Sequence, residues 1–491
     1  MRSAEEKGLG TNPQPEGLSA NPGLPDSSPL RRSGAQALSE LLRSLMALRT
    51  SAAALLAFRA SAWSVAGYGV STVLRFISRL ALAKFLHDSS PMGDVAIIVV
   101  ILAGLEMISD LGIGVNIVQH KSGDDRTFLG TAFSVQAMRG VAIWGLASLL
   151  AAPVAWIYHD PELMGLLLFG ALSTLVKAFA NPGIWILTRR VDLKGPTLLT
   201  IASEAAGFVV TVAWAILSPS AWAIVGGAVA TSVIYAAGSH LLGIRVKFAW
   251  DRKEARQIVH FGGWMILSSG TYFLSSRGET LMLRGSIPDV QFGCFAFASM
   301  LVTTPVSAIS QLAGQVFLPT LASKIRDKPQ QALRHFTRAK WVFTATALCF
   351  AWGGMILGPP IVNLLGLNDT FVGLGWMVQM LGLRAALDVH CSPTSISLLA
   401  SGASRYSAVA NVIRLVILVV GLFVTLRFWG FQEAVMLLVA APLLSYFALL
   451  PGLQKHMPGA MRVELTTLGL FVVGSALATA AAWSISPLVL D

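Results

Sequence analysis

Apolar positions in this chain do not alternate with polar ones; they run on. From Ala62 almost to the C-terminus, stretches of ~20 mostly uncharged residues recur, each long enough to cross a hydrocarbon core of about 30 Å. Short polar connections separate them. Spans are predicted at 62–84, 94–115, 128–152, 163–187, 196–217, 221–243, 260–282, 291–319, 341–366, 371–399, 405–428, 431–453 and 463–488. That is thirteen helices, within a range of twelve to fourteen, and the fold class is an all-α polytopic membrane protein. The pattern changes ahead of residue 62. Residues 1–35 are polar, with Pro, Gly and Ser throughout and no apolar core, which excludes a signal peptide and predicts a disordered cytoplasmic tail. In AQALSELLRSLMALRT, Leu38, Leu41, Leu42, Leu45 and Met46 recur at helical spacing. An amphipathic interfacial helix is predicted within 36–60, and a partner-docking helix would carry the same pattern. The domain plan is a first lobe at 62–243, a basic cytoplasmic linker at 244–259, a second lobe at 260–453 and an additional helix within 454–491.

Composition narrows the class. Charged residues are 12 % of the chain and apolar ones 54 %, against about 25 % charged in globular domains. The net charge of +11 sits mostly in connections, so topology and anionic lipid headgroups account for it, not nucleic acid. With the N-terminus inside, the inner connections carry nineteen basic residues, the outer ones only Lys84, Arg284 and Arg427. The largest inner group is Lys324, Arg326, Lys328, Arg334, Arg338 and Lys340, in the longest connection, SKIRDKPQQALRHFTRAK. This bias predicts a cytoplasmic N-terminus and an outer C-terminus. No outer connection is long enough for a catalytic domain, and no GxxxxGK[ST], HExxH or GxSxG occurs. Enzyme activity and a metal site are not expected. Cys294, Cys349 and Cys391 lie in apolar stretches without ligand spacing and read as packing residues.

An internal repeat is visible at a constant offset. LALAKFLHDSSPMGDVAI at 80–97 matches TLMLRGSIPDVQFGCFAF at 280–297, pairing Lys84 with Arg284, Gly93 with Gly293 and Ala96 with Ala296. Both copies exit on the same side, so the repeat is parallel. Two such bundles with a substrate path between them is a transporter plan.

Charges inside the spans then become functional candidates by default, because a charge facing lipid is expensive. Arg75, Arg139, Lys177, Glu204, Arg384, Asp388 and Arg414 lie near mid-span. Arg79 follows Arg75 by one turn, and Asp110 follows Glu106 in the same way. One reading pairs them structurally, Arg75 with Glu106 and Arg384 with Asp388. The other notes that the mid-depth cations outnumber the acids. Unpaired Arg and Lys in a wet cavity suit an anionic cargo, since guanidinium grips phosphate through two hydrogen bonds. Unpaired acids would take up protons or a cation. Gln136, Asn181, Gln311, Gln315 and Asn411 can line the same path or bond between helices.

FISRLALAKFLHDSSPMGDVAIIVVILAGLEMISDLGIGVNIVQ, RRVDLKG at 189–195, and the stretch from HFGGWMILSSGTYF to FLPTLASKI together resemble the polysaccharide transport, or Wzx-type, branch of the MOP flippase superfamily, over about residues 62–330. The resemblance implies two pseudo-symmetric six-helix lobes around a central cavity that opens alternately to either side of a bacterial inner membrane. It implies a polyprenyl-diphosphate-linked oligosaccharide as cargo, for exopolysaccharide, capsule or O-antigen. It also implies coupling to H+ or Na+, no other cofactor, and partners among membrane lipids, polysaccharide polymerase and glycosyltransferases. Arg75 and Arg277 match basic cavity positions in that family, and Glu279 stands where an Asp is common. A cation-coupled drug exporter and a non-transporting scaffold are the competing readings.

Overall fold

In the computed structural model, the described residues are 52–489 apart from 87, 110–112, 120–122, 191, 243–244, 257–272, 275–276, 328, 365 and 368–370. The chain divides into two units, Met1–Phe58 and Arg59–Asp491. Only the second is described at length. The tail predicted at 1–35 lies outside the described residues, as does the interfacial helix up to residue 51. Residues 52–60, assigned to that helix by pattern, belong to the first long helix instead.

The first half contains α1 (Ala52–Phe85), α2 (Ser90–Ile108), α3 (Ile113–Gln119), α4 (Arg126–Ile157), α5 (Glu162–Ala178), α6 (Ile184–Arg189), α7 (Lys194–Leu217) and α8 (Ala221–Leu242). Two predicted spans are each split in two. The second ends at Ile108, where Ser109 folds back and its amide and hydroxyl both reach the Leu105 carbonyl at 3.1 and 2.5 Å. The fourth breaks at Asn181-Pro182-Gly183, because proline offers no amide to continue the ladder. Asn181 Oδ1 accepts the Gly183 amide at 2.9 Å in its place.

After a helical stretch at 277–284, the second half contains α9 (Asp289–Leu312), α10 (Leu318–Asp327), α11 (Pro329–Trp352), α12 (Gly358–Leu364), α13 (Leu374–Ala400), α14 (Ser404–Val416), α15 (Leu422–Phe428), α16 (Phe431–Tyr446), α17 (Leu450–His456) and α18 (Ala460–Val489). Three π-helical turns, Ala313–Phe317, Gly353–Leu357 and Ile417–Gly421, interrupt what the hydropathy pattern reads as single spans. Each re-aims the face of its helix, and such turns recur at functional sites. The stretch read as the longest connection is helical almost throughout, divided between α10 and α11.

Among the described residues, nine helical segments are both long and apolar enough to cross a membrane. The others fall short for evident reasons. α5 has 17 residues, α13 carries Arg384, Asp388 and His390, and α1 carries Arg75, Arg79 and Lys84. The chain is a multi-pass helical membrane protein.

Packing is uneven along the bundle. Where α1 gives way to α2, one core is shared by both halves. It joins Leu82, Leu86, Met92 and Val95 to Leu283, Phe292, Phe295 and Phe297. Toward the opposite end the cores separate: Ile113, Ile117, Phe128 and Ile186 in the first half, Phe317, Leu321, Phe336 and Leu453 in the second. The halves therefore meet at the α1–α2 end and part toward the other, which frames a cavity between them.

Candidate functional site: a cationic cavity between the halves

The α1–α2 end is sealed by atoms of the repeat itself. A Cβ on Gly93 would lie 2.7 Å from the Phe292 ring, and one on Gly293 would lie 1.9 Å from the Ser89 carbonyl oxygen. The two backbones approach as closely as only glycine allows. The Ser89 hydroxyl donates to the Val290 carbonyl at 2.6 Å, and Cys294 Sγ sits 3.4 Å from Ser89 Oγ. Arg284 completes the seal. Its side chain, 1 % exposed, donates to Asp94 at 3.0 Å, to Asp160 at 2.9 Å and to Asp289. Tyr158 adds a hydroxyl bond to the Leu281 carbonyl at 3.1 Å. Sequence position places Arg284 among the loop charges, and the structure corrects this: three carboxylates from both halves hold it inside the protein. The available signal was the cluster of Asp94, Asp160 and Asp289 on connections otherwise short of basic residues.

Behind the seal lies a cavity of about 540 Å³ lined by Arg277, Glu279, Arg384, Asp388, Asn411 and Arg414, together with Ala103 and Met107 from the first half. Arg384 donates to Glu279 at 2.7 Å, and Arg414 to Asp388 at 3.0 Å. The pairing of Arg384 with Asp388 inferred from their spacing is therefore replaced. A partner on a facing helix serves a half-buried guanidinium better than one on its own helix, because it also joins two elements. Arg277 forms no hydrogen bond or ion pair among the described residues. It also lines a cavity of about 190 Å³ with Arg79 and Met92.

Arg75 lies 3.6 Å from Glu204, not paired with Glu106 as the sequence suggested. Its side chain stays 55 % exposed, so this contact holds it weakly. Glu204 lies in the field of Arg75, Arg79 and Lys177, and Arg79 in that of Arg75 and Arg277. One carboxylate thus faces three cations. Lys177 and Arg79, like Arg277, form no ion pair among the described residues.

Arg139 is placed differently. It donates to the Glu106 carbonyl at 2.6 Å and to Ser109 Oγ at 3.2 Å, closing the C-terminus of α2. A cation there satisfies orphan carbonyls and complements the helix dipole. With Glu106, Lys177, Asn181 and Gln136, it lines a separate cavity of about 210 Å³ inside the first half. Gln136 is engaged by the Ala178 and Ala180 carbonyls at 2.9 and 3.0 Å. Asp110 and the Gln315 side chain fall outside the described residues.

Sequence reasoning missed a second buried pair. Lys340, counted as a loop charge, is fully buried in α11, with Nζ 2.6 Å from Glu464 Oε1 on α18. Its signal was Glu464, an acid entering an apolar span with no cation on its own helix face.

A helical membrane bundle with two parallel halves, sealed at one end around a cationic cavity, defines a transporter-type fold of the MOP kind. Solved structures agree on the fold. The chain is similar to the lipid II flippase MurJ in an inward closed conformation, with a TM-score of 0.63, 14 % identity and coverage of 86 % of this chain and 98 % of that one. It is also similar to the MATE transporter VcmN of Vibrio cholerae, with a TM-score of 0.56, 15 % identity and coverage of 84 % and 98 %. The chain belongs to the polysaccharide biosynthesis protein family, whose model matches residues 81–368. Relatives include the succinoglycan biosynthesis transport protein ExoT of Rhizobium meliloti, 20 % identical over 67 % of this chain and 66 % of that protein. The lipopolysaccharide biosynthesis protein WzxC of Escherichia coli is 20 % identical over 67 % and 65 %. The matched region spans just under two thirds of either relative.

Proposed function

We propose that the chain moves polyprenyl-diphosphate-linked oligosaccharide repeat units across a bacterial inner membrane by alternating access, for exopolysaccharide, capsule or O-antigen. The observation that carries this reading is Arg277, a cation without a partner among the described residues, in a cavity whose other cations are each matched by one acid. Arg75, Arg79 and Lys177 around Glu204 add to the surplus. A diphosphate brings the missing negative charge, and guanidinium groups bind its oxygens in pairs. The lipid would remain in the bilayer while the sugars occupy the cavity. The basic connections lie in the cytoplasm on this reading, so the α1–α2 seal faces outward and the present conformation receives cargo from inside. The names of the transport protein ExoT and of WzxC support it. An exporter of organic cations is disfavoured, because the same cavity would repel its cargo. The protein acts as a carrier, not an enzyme, with an ion gradient as its energy source.

Deletion of the gene should trap lipid-linked repeat units on the cytoplasmic face, and the wild-type chain should relieve the block. An Arg75→Ala and Arg277→Ala double variant should be present in the membrane yet fail to export. Full export by that variant overturns the cationic-cavity mechanism, and unchanged surface polysaccharide after deletion overturns the cargo itself.

A further inference from the structure

The Lys340–Glu464 pair is not among the residues that line the cavity but lies behind one of them, Tyr446, and takes no part in the cargo site described above. Lys340 Nζ donates to Glu464 Oε1 at 2.6 Å and to the His390 carbonyl at 2.8 Å. Thr394 Oγ1 also donates to Glu464 Oε1, at 2.8 Å. Both charged side chains are fully buried. Removing two ions from water costs several kcal/mol for each, which is recovered only when their remaining polar atoms are satisfied. Here they are not: among the described residues Glu464 Oε2 and His390 Nε2 are buried without a hydrogen-bond partner. An ion pair that served only to pin α18 to α11 and α13 would leave no such unsatisfied oxygen on the carboxylate.

The pair also has a route to the cavity. Tyr446 lines that cavity beside Arg414 and Asp388, and its hydroxyl is 3.5 Å from Lys340 Nζ on the other side. The groups facing the pair are His390 and Cys391 on α13 and Tyr446 on α16, with Asp388 and Arg414 just beyond. Among the described residues, α11 and α18 direct no further charge toward it.

We propose that Lys340 and Glu464 form a proton-binding site that gains one proton when an anionic cargo occupies the cavity. The inference rests on the diphosphate reading above. The ammonium of Lys340 passes a proton to Glu464, leaving a neutral amine and a neutral carboxylic acid. The amine then takes the Tyr446 hydroxyl proton, and the phenolic oxygen recovers one from a hydronium ion in the cavity, which becomes water. The pair goes from neutral to a single positive charge. A diphosphate on the cavity side of Tyr446 stabilises that charge, and by linkage the proton favours the diphosphate equally. Glu464 gives up its ion pair in this step, so proton occupancy also loosens the tie between α18 and α11.

The test uses the full chain in detergent and inorganic pyrophosphate as probe. Titration calorimetry in buffers of different ionisation enthalpy counts protons taken up per pyrophosphate bound. A Lys340→Met and Glu464→Leu double variant replaces the pair with apolar groups of similar size, an exchange that buried pairs often tolerate. Wild type is expected to take up more protons than the double variant. Infrared difference spectra should show a protonated-carboxyl band that appears with pyrophosphate in wild type and is lost in Glu464→Gln. Equal proton uptake by wild type and the double variant, with no band lost in Glu464→Gln, overturns the proposal. Failure of wild type to bind pyrophosphate at all overturns the diphosphate reading first, and the proton site with it.

Discussion

The seal between the halves can be forced open by one methyl group. A Cβ on Gly293 would stand 1.9 Å from the Ser89 carbonyl oxygen, a backbone atom that no rotamer change can move aside. Reaching ordinary contact near 3.4 Å requires the two halves to separate by about 1.5 Å at this point. Overpacking of this kind costs about 1–3 kcal/mol. The Ser89–Val290 hydrogen bond at 2.6 Å would be lost with it, for about 1 kcal/mol more. The penalty falls only on the sealed state, so Gly293→Ala should shift the balance toward states open at this end by roughly tens- to hundreds-fold. The protein carries its own reporter in Cys294, which is 1 % exposed and lies beside the seam. In a Cys349→Ser background, which removes the exposed thiol, a membrane-impermeant maleimide should label Cys294 slowly in the parent chain. With Gly293→Ala the rate should rise by the factor above. Gly145→Ala serves as control, since a Cβ there meets nothing within 4 Å, and labelling should stay slow. A correctly folded Gly293→Ala chain that labels no faster than its parent would refute the seal.

Other substitutions probe the same geometry. Arg284→Gln leaves Asp94 and Asp160 facing each other without their cation; labelling of Cys294 should accelerate, and adding Asp94→Asn should reverse part of the gain. Arg384→Met strips Glu279 of its partner at 2.7 Å. The unfolding midpoint in denaturant should fall by about 3–5 kcal/mol equivalent, the usual result of orphaning a buried charge. Restoring stability with Glu279→Leu should not restore export, if Arg384 also meets cargo. Arg139→Ala should cost about 1–3 kcal/mol through the uncapped end of α2, with export per folded molecule little changed. An Arg139 variant that folds normally yet exports nothing would move this residue into the cargo path.

Much of this fold was legible because hydropathy and loop charge are properties of long segments. Twelve of the thirteen predicted spans correspond to helices at nearly the same positions, and the seventh lies mostly outside the described residues. Interruptions were less visible. The breaks after Ile108 and Ala178 depend on single residues, and the π-turns at Gly353–Leu357 and Ile417–Gly421 carry no distinct composition. Charges were found easily, their partners were not. Spacing along one helix suggested Arg384 with Asp388, whereas Glu279 and Arg414 reach those two residues from other helices. Lys340 misled for a different reason: it follows five basic residues that the pattern reads as a connection, yet the first turns of α11 have already carried it inside the bundle.

The internal repeat shows most clearly how position and role come apart. Gly93 and Gly293 share a role, since each lets its hairpin press against the other and both must stay without a side chain. Lys84 and Arg284 occupy matching places and have diverged: Lys84 is exposed, while Arg284 is buried among three aspartates. A symmetric seam needs only the glycines to close. One cation among acids drawn from both halves gives that seam an ionic latch on a single side. A latch of this kind closes the cavity tightly while still allowing it to reopen, because the aspartates regain water when the halves part. Burying a second cation at the Lys84 position would add desolvation cost without a matching set of acids. Lys84→Met should therefore leave Cys294 labelling unchanged, whereas Arg284→Met should raise it as much as Arg284→Gln does.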